Sequence, residues 1–62
     1  MYLLEHKDGG YLLRDYSNAD HSITIEKTSD PWAAKWFETD EAAARYMDDE
    51  LENPDDWDIV KG

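Results

Sequence analysis

The sequence predicts a small α+β domain: a mostly antiparallel β-sheet with one α-helix packed across it. Three observations predict it. Short apolar-rich runs near the N-terminus are separated by turn-forming residues. One alanine-rich segment repeats its apolar residues at spacings of three and four. A last short run, Trp57 to Lys61, follows a proline stop. A chain of 62 residues allows one domain, residues 1–62, and no more.

The elements follow in order. Tyr2 to His6 and Tyr11 to Tyr16 flank Lys7-Asp8-Gly9-Gly10, whose glycines accept positive φ, so this stretch reads as a β-hairpin. Tyr16-Ser17-Asn18-Ala19-Asp20 is turn chemistry again. Ser22 to Lys27 then alternates strictly, with Ile23 and Ile25 on one side and Thr24 and Glu26 on the other, and predicts a third antiparallel strand. Asp30 caps a short helical turn with Pro31 at its first position. Lys35-Trp36-Phe37-Glu38 suits either a short strand or a second helical turn, and the extended form is preferred here. Thr39 is the best N-cap in the chain, and Asp40 and Glu41 in the first turn complement the helix dipole. A helix over about 40–52 puts Ala43, Tyr46, Met47 and Leu51 on one face, and Asn53-Pro54 stops it. Phe37, just before the cap, is placed to pack on the helix. Trp57 to Lys61 reads as the closing strand.

Composition excludes several function classes. Lys+Arg number 6 against Asp+Glu 16, a net charge of −10, with a pI of about 4.2 and a mean hydropathy of −0.91. A chain with no cationic excess cannot release counterions from a phosphate backbone, so direct nucleic-acid binding is not expected. Anionic lipid repels it, and no run approaches the ~20 apolar residues of a membrane span. The aromatic content of 13% argues against disorder, because each ring brings large buriable area. The absence of cysteine removes disulfides, thiolate metal sites and thiol nucleophiles, and leans towards a reducing compartment. The N-terminal run is too short and too charged for a signal peptide, so a cytoplasmic location is expected. A core this small yields little net stability, so partner binding or oligomerisation is expected to supply the rest, and the chain is expected to be a monomer or a weak homodimer.

The charge is concentrated. Residues 1–37 hold six acids (Glu5, Asp8, Asp15, Asp20, Glu26, Asp30) against four bases (Lys7, Arg14, Lys27, Lys35). Residues 38–58 hold ten: Glu38, Asp40, Glu41, Asp48, Asp49, Glu50, Glu52, Asp55, Asp56 and Asp58, with Arg45 as the one base. Asp48, Asp49, Glu50 and Glu52 crowd the C-terminal end of the helix, where the dipole disfavours each by roughly 0.3–1 kcal/mol. Such departures from local consistency are where function is sought first. Carboxylates on one helix face and its following loop can imitate nucleic acid and be steered to a basic groove. Glu38, Asp40, Glu41, Asp48, Asp49, Glu52, Asp55, Asp56 and Asp58 are the candidate partner-binding residues. Trp57 among them is the candidate apolar anchor. The bland alternative is a solvated face that keeps a small protein soluble.

Other sites find little support. Asp48-Asp49-Glu50 and Asp55-Asp56-Trp57-Asp58 lack the calcium-loop pattern and its glycine, so no dedicated metal site is expected beyond weak cation binding. His6 and His21 form no recognisable pair. No catalytic residues and no cofactor are assigned, because paired carboxylates need a cleft that raises one pKa. Trp32, Trp36, Phe37, Tyr46 and Trp57 read first as core, with room for one partly exposed tryptophan.

The hairpin at Asp8-Gly9-Gly10, the run Lys35-Trp36-Phe37-Glu38-Thr39-Asp40-Glu41-Ala42-Ala43 and the closing strand Trp57-Asp58-Ile59-Val60 resemble, in layout, the small acidic accessory proteins of phages and other mobile elements. In size and charge the chain is similar to DNA-mimic anti-CRISPR proteins. No residue-level signature carries over. The resemblance implies a non-enzymatic inhibitor that occupies the DNA-binding or PAM-reading channel of a CRISPR surveillance complex or another basic nucleic-acid-binding protein. The alternative is a small interaction or assembly module anchored by aromatics, without mimicry.

Overall fold

The hairpin forms because Gly9 and Gly10 both hold positive φ, 101° and 87°, where a side chain is strained. In the computed structural model, which describes residues 1–62, they reverse β1 (Tyr2–His6) into β2 (Tyr11–Ser17). The His6 N–H donates to the Gly10 carbonyl and the Gly9 N–H to the His6 carbonyl, each at 2.9 Å. β2 passes into β3 (Ile23–Thr28) through a turn built by its own side chains. The Asn18 amide donates to the carbonyl and hydroxyl of Ser22 and to Thr24 Oγ1. Asp20 Oδ1 accepts from both the N–H and the hydroxyl of Ser22. These local bonds accompany His21 at φ 69°, the one non-glycine residue in the left-handed region.

The sheet order is β3-β2-β1-β4 and every pair is antiparallel, with β4 formed by Trp57–Lys61. β4 returns along the whole of β1, from Tyr2↔Lys61 to His6↔Trp57. β2 leaves β1 early. Their register is Glu5↔Tyr11, and an irregularity between Leu12 and Arg14 bends β2 towards β3. The segment 35–37 fills the space this opens. Phe37 exchanges both backbone bonds with Tyr2 at 2.8 Å, and the Lys35 N–H donates to the Leu12 carbonyl at 2.9 Å. Lys35–Phe37 is therefore extended, because its backbone groups find their partners on two neighbouring strands.

α1 (Asp40–Glu50) starts where Thr39 Oγ1 accepts from the Ala42 N–H at 3.0 Å. It ends at Glu50, two residues before the predicted 52. Leu51 turns extended, with φ −97° and ψ 128°, and this carries its side chain into the core while its N–H still bonds the Met47 carbonyl. Pro54–Asp56 then form a short 3₁₀ turn that feeds β4.

The core consists of Leu4, Leu12, Ala43, Leu51 and Trp57, with Phe37, Tyr46, Met47 and Ile59 packed against it. α1 rests chiefly on β1 and β4. One helix is about 10–12 Å across with its side chains. Four strands spaced ~4.8 Å apart are wider than that. The outer half of the sheet is thus left uncovered. Ile23 and Ile25 share the helix side with Leu12, through the Leu12↔Lys27 register, yet they are 39% and 36% exposed. On the other side of the sheet Leu3 is buried beneath Met1 and Gly62, whose backbones bond to each other at 3.0 Å. No helix is long and apolar enough to cross a membrane.

Candidate functional site

α1 turns Ala43, Tyr46 and Met47 inward, so its opposite side carries Glu41, Arg45, Asp48 and Asp49 to solvent. Glu38 and Asp40 sit at its N-terminal end, Glu50 and Glu52 at the other, and Asp55 in the 3₁₀ turn; all are exposed. The structure holds two ion pairs between permanently charged side chains, Lys7–Asp56 and Arg14–Glu26, and the Asp8 carboxylate also lies 3.8 Å from His6 Nδ1. Of the ten carboxylates between 38 and 58, Asp56 alone is paired, with the Lys7 ammonium at 3.0 Å. That hydrogen bond, reinforced by the charge of Asp56, raises the Lys7 pKa above its usual range. Arg45 pairs with none of its acidic neighbours, and the last turn of α1 holds no base.

The acidic residues do not form the single face expected from their clustering in sequence. Trp57 and Ile59 face the helix, so alternation along β4 sends Asp58 to the opposite side of the sheet. There it lies directly across from Glu5. The remaining acids wrap α1 and the turn after it. Charge density can be read along the helix axis. The 11 residues of α1 carry Asp40, Glu41, Asp48, Asp49 and Glu50 against Arg45. At ~1.5 Å per residue this is one net charge per ~4 Å. One DNA strand carries one per ~3.4 Å and the duplex one per ~1.7 Å. α1 alone therefore approaches single-strand density and falls short of the duplex.

Trp57 is not the surface anchor expected of it. It is 5% exposed, belongs to the core, and meets the His6 ring edge-on at 4.8 Å between centroids. A small domain needs the area of this ring inside, and the register of β4 puts it under the helix. The exposed tryptophans are Trp32, at 85%, and Trp36, at 54%. Trp32 is held out by a local turn. Its N–H donates to Asp30 Oδ1 at 2.9 Å, and the Ala33 N–H to the Asp30 carbonyl at 3.1 Å. The sequence signal for this exposure is Asp30-Pro31 itself, which fixes a turn and gives Trp32 no periodic apolar neighbours.

Two clefts border these features. One, of about 320 Å³, lies on the helix-free face of the sheet, lined by Leu3, Glu5, Tyr11, Trp32 and Val60 with both chain ends and Lys61 nearby. The other, of about 330 Å³, lies between segment 35–37 and α1. Here the Lys35 ammonium stands 5.7 Å from the Phe37 ring centre and 5.4 Å from that of Tyr46. The two rings lie 5.3 Å apart, and the buried Tyr46 hydroxyl has no hydrogen-bond partner.

His6 Nδ1 accepts from the Asp8 N–H at 3.2 Å, and His21 belongs to the β2–β3 turn. No group of three His, Asp or Glu side chains converges to hold a metal ion. No protein-family model, no curated protein and no solved structure matches this chain.

Proposed function

We propose that the protein is a non-enzymatic inhibitor that presents nucleic-acid-like negative charge to a basic nucleic-acid-binding protein in the cytoplasm. One observation carries the reading. Nine carboxylates between Glu38 and Asp58 are exposed and unpaired, including those at the end of α1 that the dipole disfavours. The fold gains nothing local from Asp48, Asp49, Glu50 and Glu52, so their use lies with a partner. The helix charge density suits a groove that follows one nucleic-acid strand. CRISPR surveillance complexes are the first target class to test, on the resemblance in layout and charge.

The test is a charge reversal that spares the fold. Asp48, Asp49, Glu52 and Asp55 are changed together to Lys, leaving the Lys7–Asp56 pair intact. The variant is expected to remain folded, because cations at a helix C-terminus are favourable. It is expected to lose a complex that in the native protein weakens steeply with salt. Binding that survives the reversal sinks the mimicry reading.

The exposure of Trp32 and Trp36 favours a second reading, an aromatic-anchored interaction module. It expects Trp36→Ala to weaken association in a folded protein with little salt dependence.

A further inference from the structure

We propose that the cleft on the open face of the sheet takes a single arginine side chain from a basic partner. This inference deepens the reading of a basic partner and rests on it. The volume of about 320 Å³ is at the low end of the ~300–1,000 Å³ of ligand clefts, so it admits one long side chain rather than a folded segment. Leu3, Tyr11 and Val60 line it with apolar and aromatic surface. Trp32 stands at its edge, 85% exposed, in a protein with little other area for a core.

The charges at the cleft choose the occupant. Glu5 lines it, and Asp58 lies directly across from Glu5 on β4. Like charges at directly opposed positions of an antiparallel pair repel. Neither carboxylate has a cation partner, since the ion pairs of the structure lie elsewhere. Lys61 is the one basic side chain lining the cleft and offsets Glu5, so the surplus negative charge is that of Asp58, which does not line the cleft but stands beside it across from Glu5. One guanidinium balances it. Its flat face stacks on an indole or phenol ring, and its forked donors serve two carboxylates at once. A lysine ammonium supplies the charge without the fork or the stacking plane.

The inference is tested by NMR titration of the ¹⁵N-labelled protein with a short glycine-flanked arginine peptide and its lysine and citrulline counterparts. The arginine peptide is expected to shift Leu3, Tyr11, Val60 and the Trp32 indole N–H, and to saturate. Trp32→Ala and Glu5→Gln are each expected to weaken it about tenfold, and citrulline to abolish saturable binding. Asp58→Asn serves as a second variant on the other strand, and Ile23→Ala, on the helix side of the sheet, as a control that leaves the titration unchanged. Equal affinity for arginine and lysine, or unchanged affinity in both Trp32→Ala and Glu5→Gln, overturns the inference. Shifts that track the acids of α1 and leave the cleft unmoved overturn it too, while the acidic-surface reading stands. The quadruple Lys reversal separates the two in the other direction. Cleft shifts that persist there, with the salt-sensitive complex retained as well, leave the cleft intact and remove the mimicry.

Discussion

The two halves of the sheet do different work. Under α1, β1 and β4 pair along their full length and bury Leu4, Leu51 and Trp57. Beyond it, β2 gives Leu12 to the core at its hairpin end, while the rest of β2 and β3 carries Ile23, Ile25 and Tyr16 in water and is secured by polar means. Those means are the Asn18–Ser22 turn network and the Arg14–Glu26 pair at 2.9 Å. One helix is too narrow to serve four strands. The covered half holds the apolar stabilisation, and the outer half remains a strand pair by hydrogen bonding and turn chemistry.

Core truncation should separate the two halves of the sheet most visibly. Leu4→Ala or Trp57→Ala is expected to cost about 3–5 kcal/mol, enough to unfold much of a domain this small at 25 °C, as read by denaturant melts. Ile25→Ala on the outer half should cost less than ~1 kcal/mol in the same assay. A comparable loss at Ile25 would show that the outer half carries core weight after all. Next in size is the cap. Thr39→Ala should destabilise by about 1 kcal/mol, because the Ala42 N–H loses its acceptor. Smaller still, Asp48→Lys with Asp49→Lys should raise stability by roughly 0.3–1 kcal/mol per site at low salt, a gain that fades at 1 M salt. A loss of stability there would mean that these acids are structural.

The smallest effects are electrostatic and lie in the turns. Hydrogen bonds from Ser22 lower the Asp20 pKa below its usual 3.8. Its stabilising contribution is therefore present above the unfolded pKa and is lost as pH falls through the depressed folded value. Asp20→Asn should flatten that acid limb of the stability curve slightly. Lys7, raised above 10.5 by Asp56, behaves in the opposite sense. Its contribution is complete below 10.5 and is lost as pH rises through the raised value, so Lys7→Met should flatten the alkaline limb. Both groups are exposed, and both slopes should shrink further with salt.

Much of this architecture is legible in the sequence because it is local. Gly9-Gly10, Thr39 and Asn53-Pro54 act through φ, a cap and a missing N–H, each within a few residues. The strand order is not local. Nor is the path of Lys35–Phe37, whose extended form depends on backbone partners from Tyr2 and Leu12. The candidate site divides the same way. The exposure of the acids on α1 follows from helical spacing. That Asp58 faces away from Trp57 follows from strand alternation alone, but its place across from Glu5 needed the position of β4 beside β1.

The sequence by itself determined the turns, the single capped helix, the closing strand and the surplus of negative charge between residues 38 and 58. These depend on backbone conformation and residue identity over short distances. Only the tertiary structure decided which tryptophan is core and which is free, which half of the sheet stays uncovered, and on which side Asp58 meets Glu5. Those outcomes depend on where one helix comes to rest on four strands, and layer geometry couples residues that lie far apart along the chain.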